Sequence, residues 1–120
     1  MKIIIGKVYA NWCGHCQSLN PEWDKMKLLL RKNPNIQFVE IEEMQKQKFN
    51  NFKKKFPQLE VNGYPTIFKI NNKKNIEYYT GNRIMMDMKK WAIEKNKGST
   101  KKMFRNNKNI KKNKTYRLTL

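Results

Sequence analysis

Cys13 and Cys16, in the segment YANWCGHCQSLNP (9–21), are the only cysteines among 120 residues. A C-x-x-C spacing suits a dithiol that cycles with a disulfide, half of a metal site, or an inert remnant of either. Structural zinc takes four ligands, and beyond Cys13, Cys16 and the single His15 the chain offers no further cysteine or histidine. A structural zinc site within one chain is therefore not expected, and an iron–sulfur cluster would need a second chain. Neither a metal nor a cofactor is expected. A bridge closing so short a loop adds little stability, so the spacing suits a redox pair or a metal site better than a structural staple.

The reacting species in such exchange is the thiolate, and an unperturbed thiol is mostly protonated near neutral pH. A helix start corrects this, because unpaired amides and the helix dipole favour negative charge and bring cysteine pKa values to roughly 3.5–7.5. The residues after Cys13 meet that need. Leu19, Trp23, Met26 and Leu30 mark one face of a helix expected over 14–32. Pro21 lies inside it and predicts a kink one turn beyond Cys16, and KNPN (32–35) ends it. Cys13 is thus the expected attacking nucleophile.

The surrounding elements follow from periodicity. IIIGKVYA (3–10) reads as a buried strand and IQFVEI (36–41) as a second. Residues 42–56 read as a helix with Phe49, Phe52 and Phe56 on one face and Glu42 and Glu43 near its start. PTIFKI (65–70) and IEYYT (76–80) form a hairpin across NNKKN. A last helix over 83–96 places Ile84, Met88, Trp91 and Ala92 together, with Trp23 and Trp91 assigned to the core. Strand, helix, strand, helix, hairpin, helix predicts an α/β fold with a mixed sheet of about four strands between helical layers.

The totals bound the rest. A chain of 120 residues has room for one domain, here 1–96. Residues 97–120 are basic, lysine- and asparagine-rich, and lack apolar periodicity, so they read as a tail. With 27 Lys+Arg against 9 Asp+Glu, the formal charge is +18, which allows loose contact between the tail and polyanions such as nucleic acid. The same lysine and asparagine excess runs through the whole chain and suits an AT-rich genome such as that of a protist or a large DNA virus, so a virion protein is one expectation. The first residues lack the apolar run of a secretory leader, and no segment has the roughly 20 apolar residues that span a bilayer. A reducing, cytoplasmic setting is the expectation from these features.

Four features together carry a resemblance: WCGHC (12–16), Pro21 five residues after the second cysteine, VNGYPT (61–66) and YTGNR (79–83). From about residue 5 to 95 the chain resembles the thioredoxin superfamily, and WCGHC resembles the protein disulfide isomerase branch. The resemblance implies a three-layer thioredoxin-like fold whose N-terminal strand–helix unit is reduced or absent here. It implies thiol–disulfide exchange on protein substrates, a redox disulfide between Cys13 and Cys16, Cys16 as the resolving thiol, and an external redox partner. It also implies that Tyr64 and Pro65, joined by a cis bond, face an extended substrate together with Trp12, and that Arg83 swings toward Cys16. Gly14 and His15 then set the redox poise, near about −180 mV for isomerases against about −270 mV for thioredoxins; a cationic His15 would favour the reduced form. One departure concerns Lys7, which stands where the family has a buried acid. The family's partner lysine aligns with Glu40, so Lys7 and Glu40 are expected to form a charge-swapped pair.

Overall fold

A computed structural model describes residues 2–94. The expected tail (97–120), its boundary and the last two residues of the expected third helix lie outside the described residues. The elements run β1 (Ile3–Tyr9), α1 (Gly14–Leu30), β2 (Ile36–Glu42), α2 (Lys46–Lys55), β3 (Thr66–Ile70), β4 (Ile76–Tyr78) and α3 (Met85–Ile93). The four strands form one sheet in the order β2-β1-β3-β4. β1 pairs with β2 in parallel and with β3 antiparallel, and β3 and β4 form the antiparallel hairpin. A mixed sheet covered by helices on both faces is the expected fold.

Strand alternation sorts the core into two layers. On one face Ile5 and Ile67 meet Leu19, Trp23, Met26 and Leu30 of α1 and Met88, Trp91 and Ala92 of α3. On the other, Val8, Ile41, Phe68 and Ile70 are covered by Phe49 and Phe52 of α2 and by Phe56 at its end. Gly6 sits under the Phe68 ring, and a Cβ there would lie 2.2 Å from the ring's edge. α1 continues past Pro21 without interruption, since the proline costs one backbone donor on an exposed turn.

Two helix starts differ from the sequence expectation. Helix α2 begins at Lys46 rather than residue 42, because Glu42 completes β2 opposite Tyr9 and residues 43–45 form a turn. That turn is closed by Gln45 N–H on the Glu42 carbonyl (2.8 Å) and by Met44 N–H on the Glu42 carboxylate (2.9 Å). Glu42 and Glu43 therefore lie ahead of α2, not in its first turn. Helix α3 begins at Met85, and Ile84 is its exposed N-cap rather than a core residue. A carboxylate from α1 sets this start: Glu22 accepts the Met85 N–H at 2.7 Å, satisfying an amide that has no partner within the helix.

Candidate active site

β1 ends at Tyr9, and the chain turns through Ala10, Asn11 and Trp12 so that Cys13 becomes the N-cap of α1. The Cys13 backbone is extended and its sulfur accepts the Cys16 N–H at 3.2 Å. A cysteine here does what an oxygen-bearing cap does elsewhere, receiving an amide that α1 cannot satisfy internally. Cys13 and Cys16 are both buried and both free thiols, packed with Ala10 against Tyr9 and Tyr64. Tyr64 and Pro65 are joined by a cis peptide bond, as expected, and the Tyr64 carbonyl lies 3.6 Å from the Cys13 sulfur, which donates to it.

The two thiols are pushed in opposite directions. Cys13 is held below the ordinary thiol range, chiefly by the Cys16 thiol donating to it; burial opposes this, while the amides of Cys16 and His15 and the charge of Arg83 assist. Cys16 is pushed up to about 11, first by burial and then by its hydrogen bond to Cys13. Near neutral pH one sulfur is therefore prepared to attack while the other keeps its proton.

The remaining expected site residues fall around this pair. Trp12 is 68% exposed, stands edge-on to Tyr64 with ring centroids 6.0 Å apart, and donates its indole N–H to Glu43. Gly14 and His15 are exposed, and His15 contributes its backbone amide to Cys13. A side chain at Gly14 would meet nothing within 4 Å. Arg83 is exposed in the approach to α3, and its charge bears on Cys13. Two grooves meet at Tyr64: one of about 340 Å³ between Val8, Ile41, Glu43, Phe49 and Val61, the other of about 400 Å³ along Glu60, Asn62, Pro65 and Tyr78. Both are lined by Tyr64, whose carbonyl faces the Cys13 sulfur.

The expected Lys7–Glu40 ion pair is not formed. The two residues stand opposite each other in β1 and β2, but Glu40 is bonded by Lys27 and by the Trp23 indole N–H at 3.0 Å, both from α1. Lys7 instead donates to the Asn20 side-chain carbonyl at 3.0 Å. Helix α1 crosses over this part of the sheet, so its side chains intervene between two charges that the strand register alone would join. Burial raises the Glu40 carboxyl, but Lys27, the Trp23 N–H and the charge of Lys7 outweigh it and hold the group below its usual range. Asn20 and Lys27 were not singled out from sequence, and Glu43 was read only as a charge near the start of the second helix. The only sequence signal for them was that buried lysine and tryptophan must find polar partners. Among the described residues no group of three His, Cys, Asp or Glu side chains is placed to hold a metal.

A cysteine N-cap with a lowered pKa, a buried second thiol one turn later and the Tyr64 carbonyl of a cis X-Pro bond against the first sulfur stand together at the end of β1 on a thioredoxin-like fold. The thioredoxin family model matches residues 1–94, and the chain belongs to that family. It is 36% identical over 86 residues to the thioredoxin domain-containing protein 5 homolog of Drosophila melanogaster, covering 72% of this chain and 19% of that protein. It is 40% identical over 86 residues to a protein disulfide-isomerase of Hordeum vulgare, covering 67% of this chain and 15% of the relative. Among solved structures, the first thioredoxin domain of mouse protein disulfide-isomerase A4 superposes with a TM-score of 0.57 at 28% identity, covering 76% of this chain and 61% of that one. The J-Trx1 fragment of ERdj5 gives a TM-score of 0.62 at 18% identity, covering 77% and 42%, and shares the fold. The chain spans less than a fifth of the length of these two curated relatives.

Proposed function

We propose that this chain makes, breaks or reshuffles disulfides in protein substrates through Cys13 and Cys16. The observation that carries the reading is a pair of free thiols one helical turn apart, with the Cys13 sulfur at the N-cap of α1 accepting the Cys16 N–H at 3.2 Å and lying 3.6 Å from the Tyr64 carbonyl. Cys13 thiolate attacks a substrate disulfide and forms a mixed disulfide, expelling the other substrate sulfur as a thiolate. Cys16 then attacks Cys13, the Cys13–Cys16 bond forms, and the first substrate sulfur leaves reduced. Run in reverse, the same two steps oxidise a dithiol substrate. An external thiol or disulfide restores the starting state in either direction. An extended substrate segment would lie across the Tyr64–Pro65 loop, its apolar side chains against Trp12 and its backbone along the two grooves.

The test is equilibration with reduced and oxidised glutathione, with alkylation and mass measurement of the Cys13–Cys16 pair. A bond that forms with a potential toward the isomerase value of about −180 mV supports oxidation or isomerisation. A value at or below about −270 mV would instead make the chain a reductant. Failure of the two cysteines to pair at any ratio would remove the reading. The polyanion-binding alternative rests on residues 97–120 and has no support from the site.

A further inference from the structure

Hydrogen bonds at the two ends of β2 fix which way its backbone points. Ile3 N–H donates to the Asn35 carbonyl at 2.7 Å and Glu43 N–H to the Tyr9 carbonyl at 2.8 Å, so the odd-numbered residues of β2 turn to β1. Backbone groups alternate sides along a strand, and β2 is an edge of the sheet, so its even-numbered residues turn outward. Some of these outward groups are taken: Ile36 N–H by the Asn33 carbonyl at 3.2 Å, the Glu40 carbonyl by the Lys48 amine at 2.6 Å, and both groups of Glu42 by Gln45. The Ile36 carbonyl, the Phe38 N–H and carbonyl, and the Glu40 N–H have no partner among the described residues. A run of unpaired groups on a sheet edge is a template for another strand.

We propose that β2 of a second copy of this chain pairs antiparallel with this edge, about a two-fold axis through Phe38. In that register the two Phe38 residues exchange N–H···O bonds, and each Glu40 N–H meets the Ile36 carbonyl of the other copy. The groups already taken, Ile36 N–H and the Glu40 carbonyl, fall opposite each other, so no existing bond is broken. The free donors and acceptors are thus self-complementary, as a two-fold interface requires. Side chains agree: Phe38 meets Phe38, Ile36 meets Glu40 and Gln37 meets Val39, with no like charges opposed. Beside the edge, Asp24, Lys27, Leu28 and Arg31 form one stripe of α1 and line a groove of about 260 Å³ with Phe38. Leu28 is 58% exposed there. The two-fold axis reverses the stripe, turning the acidic end at Asp24 toward the basic end at Arg31 of the other copy. The two Lys48 amines end up about 13 Å apart along the strands, beyond the roughly 8 Å screening length of physiological salt. Residues 97–120 hold no acid to meet Arg31 and fit the edge less well. The paired strands run in opposite directions, so the two Cys13 sulfurs lie at opposite ends of an eight-stranded sheet and both stay open to substrate.

Sedimentation equilibrium of the full chain, kept reduced so that no disulfide can join two copies, tests this together with amide hydrogen exchange. The +18 charge of each chain opposes association in dilute buffer, so the measurement belongs at physiological salt. A monomer–dimer equilibrium in the micromolar range is expected. The Phe38 and Glu40 amides should exchange at least about tenfold more slowly when nearly all chains are paired than in dilute monomer, while the Gln37 and Val39 amides, bonded to β1, stay unchanged. Asp24 and Arg31 are both exposed. Asp24→Lys or Arg31→Glu alone should weaken the dimer about tenfold, and the two together should restore it to within about threefold. If either single variant fails to fold, Leu28→Gln carries the comparison, with an expected loss of about fivefold. A chain that stays monomeric at every concentration overturns the proposal. So does a dimer whose Phe38 and Glu40 amides remain open, which would use another face, or protection of those amides in the dilute monomer, which would mean that a segment of the same chain holds the edge. A double variant no tighter than the single ones overturns the two-fold register.

Discussion

Separating the two cysteines gives the sharpest test of the site. Cys16→Ala removes the thiol that chiefly lowers the Cys13 pKa, so Cys13 is taken at the ordinary thiol value, but it leaves the amides of residues 15 and 16 and the Arg83 charge in place at the start of α1. Cys13→Ala leaves Cys16 alone in the core. With a pKa of about 11, Cys16 is a thiolate in about one molecule in ten thousand at pH 7, against about one in a hundred for a thiol at its ordinary value. A more basic thiolate is a better nucleophile, and a Brønsted slope of about 0.4–0.5 returns roughly six- to tenfold of that hundredfold deficit. Losing Cys13 also removes its hydrogen bond and charge, but the largest contribution to the raised pKa is burial, which remains. Alkylation by iodoacetamide at pH 7 should therefore be at least about tenfold faster in Cys16→Ala than in Cys13→Ala. The rate profile of Cys13→Ala should still be climbing above pH 9, where that of Cys16→Ala has levelled. Rates within twofold of each other, or a faster Cys13→Ala, would refute the assignment of nucleophile and resolving thiol.

Arg83→Gln should raise the Cys13 titration midpoint by less than about half a unit, and the difference should vanish near 1 M salt, because an exposed charge is screened; a shift that survives salt means direct contact. Glu40 has a folded pKa below its unfolded one, so the stability it contributes is present above the unfolded value and lost as pH falls through the folded one. Glu40→Gln should therefore lower stability by on the order of 1 kcal/mol near neutrality and flatten the fall below about pH 4.5, read from urea midpoints. An acid limb of unchanged steepness in the variant would show that other carboxyls set it. Gly6→Ala places a methyl 2.2 Å from the fully buried Phe68 ring and should cost about 2 kcal/mol or more in urea unfolding. A loss below about 0.5 kcal/mol would mean that the ring moves aside freely.

Much of the fold was legible because its cause is local. Leu19, Trp23, Met26 and Leu30 recur at helical spacing, and they are the residues α1 buries. The β-branched run before the cysteines is the central strand, and Asn71 closes the β3–β4 turn through its side chain, accepting from Lys73 and Asn75. The helix starts were less legible, because they depend on contacts distant in sequence. Glu42 belongs to β2 through its pairing with Tyr9, and α3 begins where Glu22 of α1 receives the Met85 amide. No window of local sequence contains both partners.

The site divides in the same way. Residue type and spacing alone determined that Cys13 would cap a helix and that Cys16 would follow one turn later, since N-cap geometry and the 3.6-residue turn are properties of a short segment. It was the resemblance to the thioredoxin superfamily, not residue type and spacing, that pointed to Tyr64–Pro65 as the second wall of the site. Only the tertiary structure decided where the buried charges go. Strand register sets Lys7 opposite Glu40, but α1 packs across them, and Lys27 and Trp23 take the carboxylate while Asn20 takes the ammonium. A charge in a low-dielectric interior is governed by whichever partner lies nearest in space, and nearness in space is set by how the layers pack.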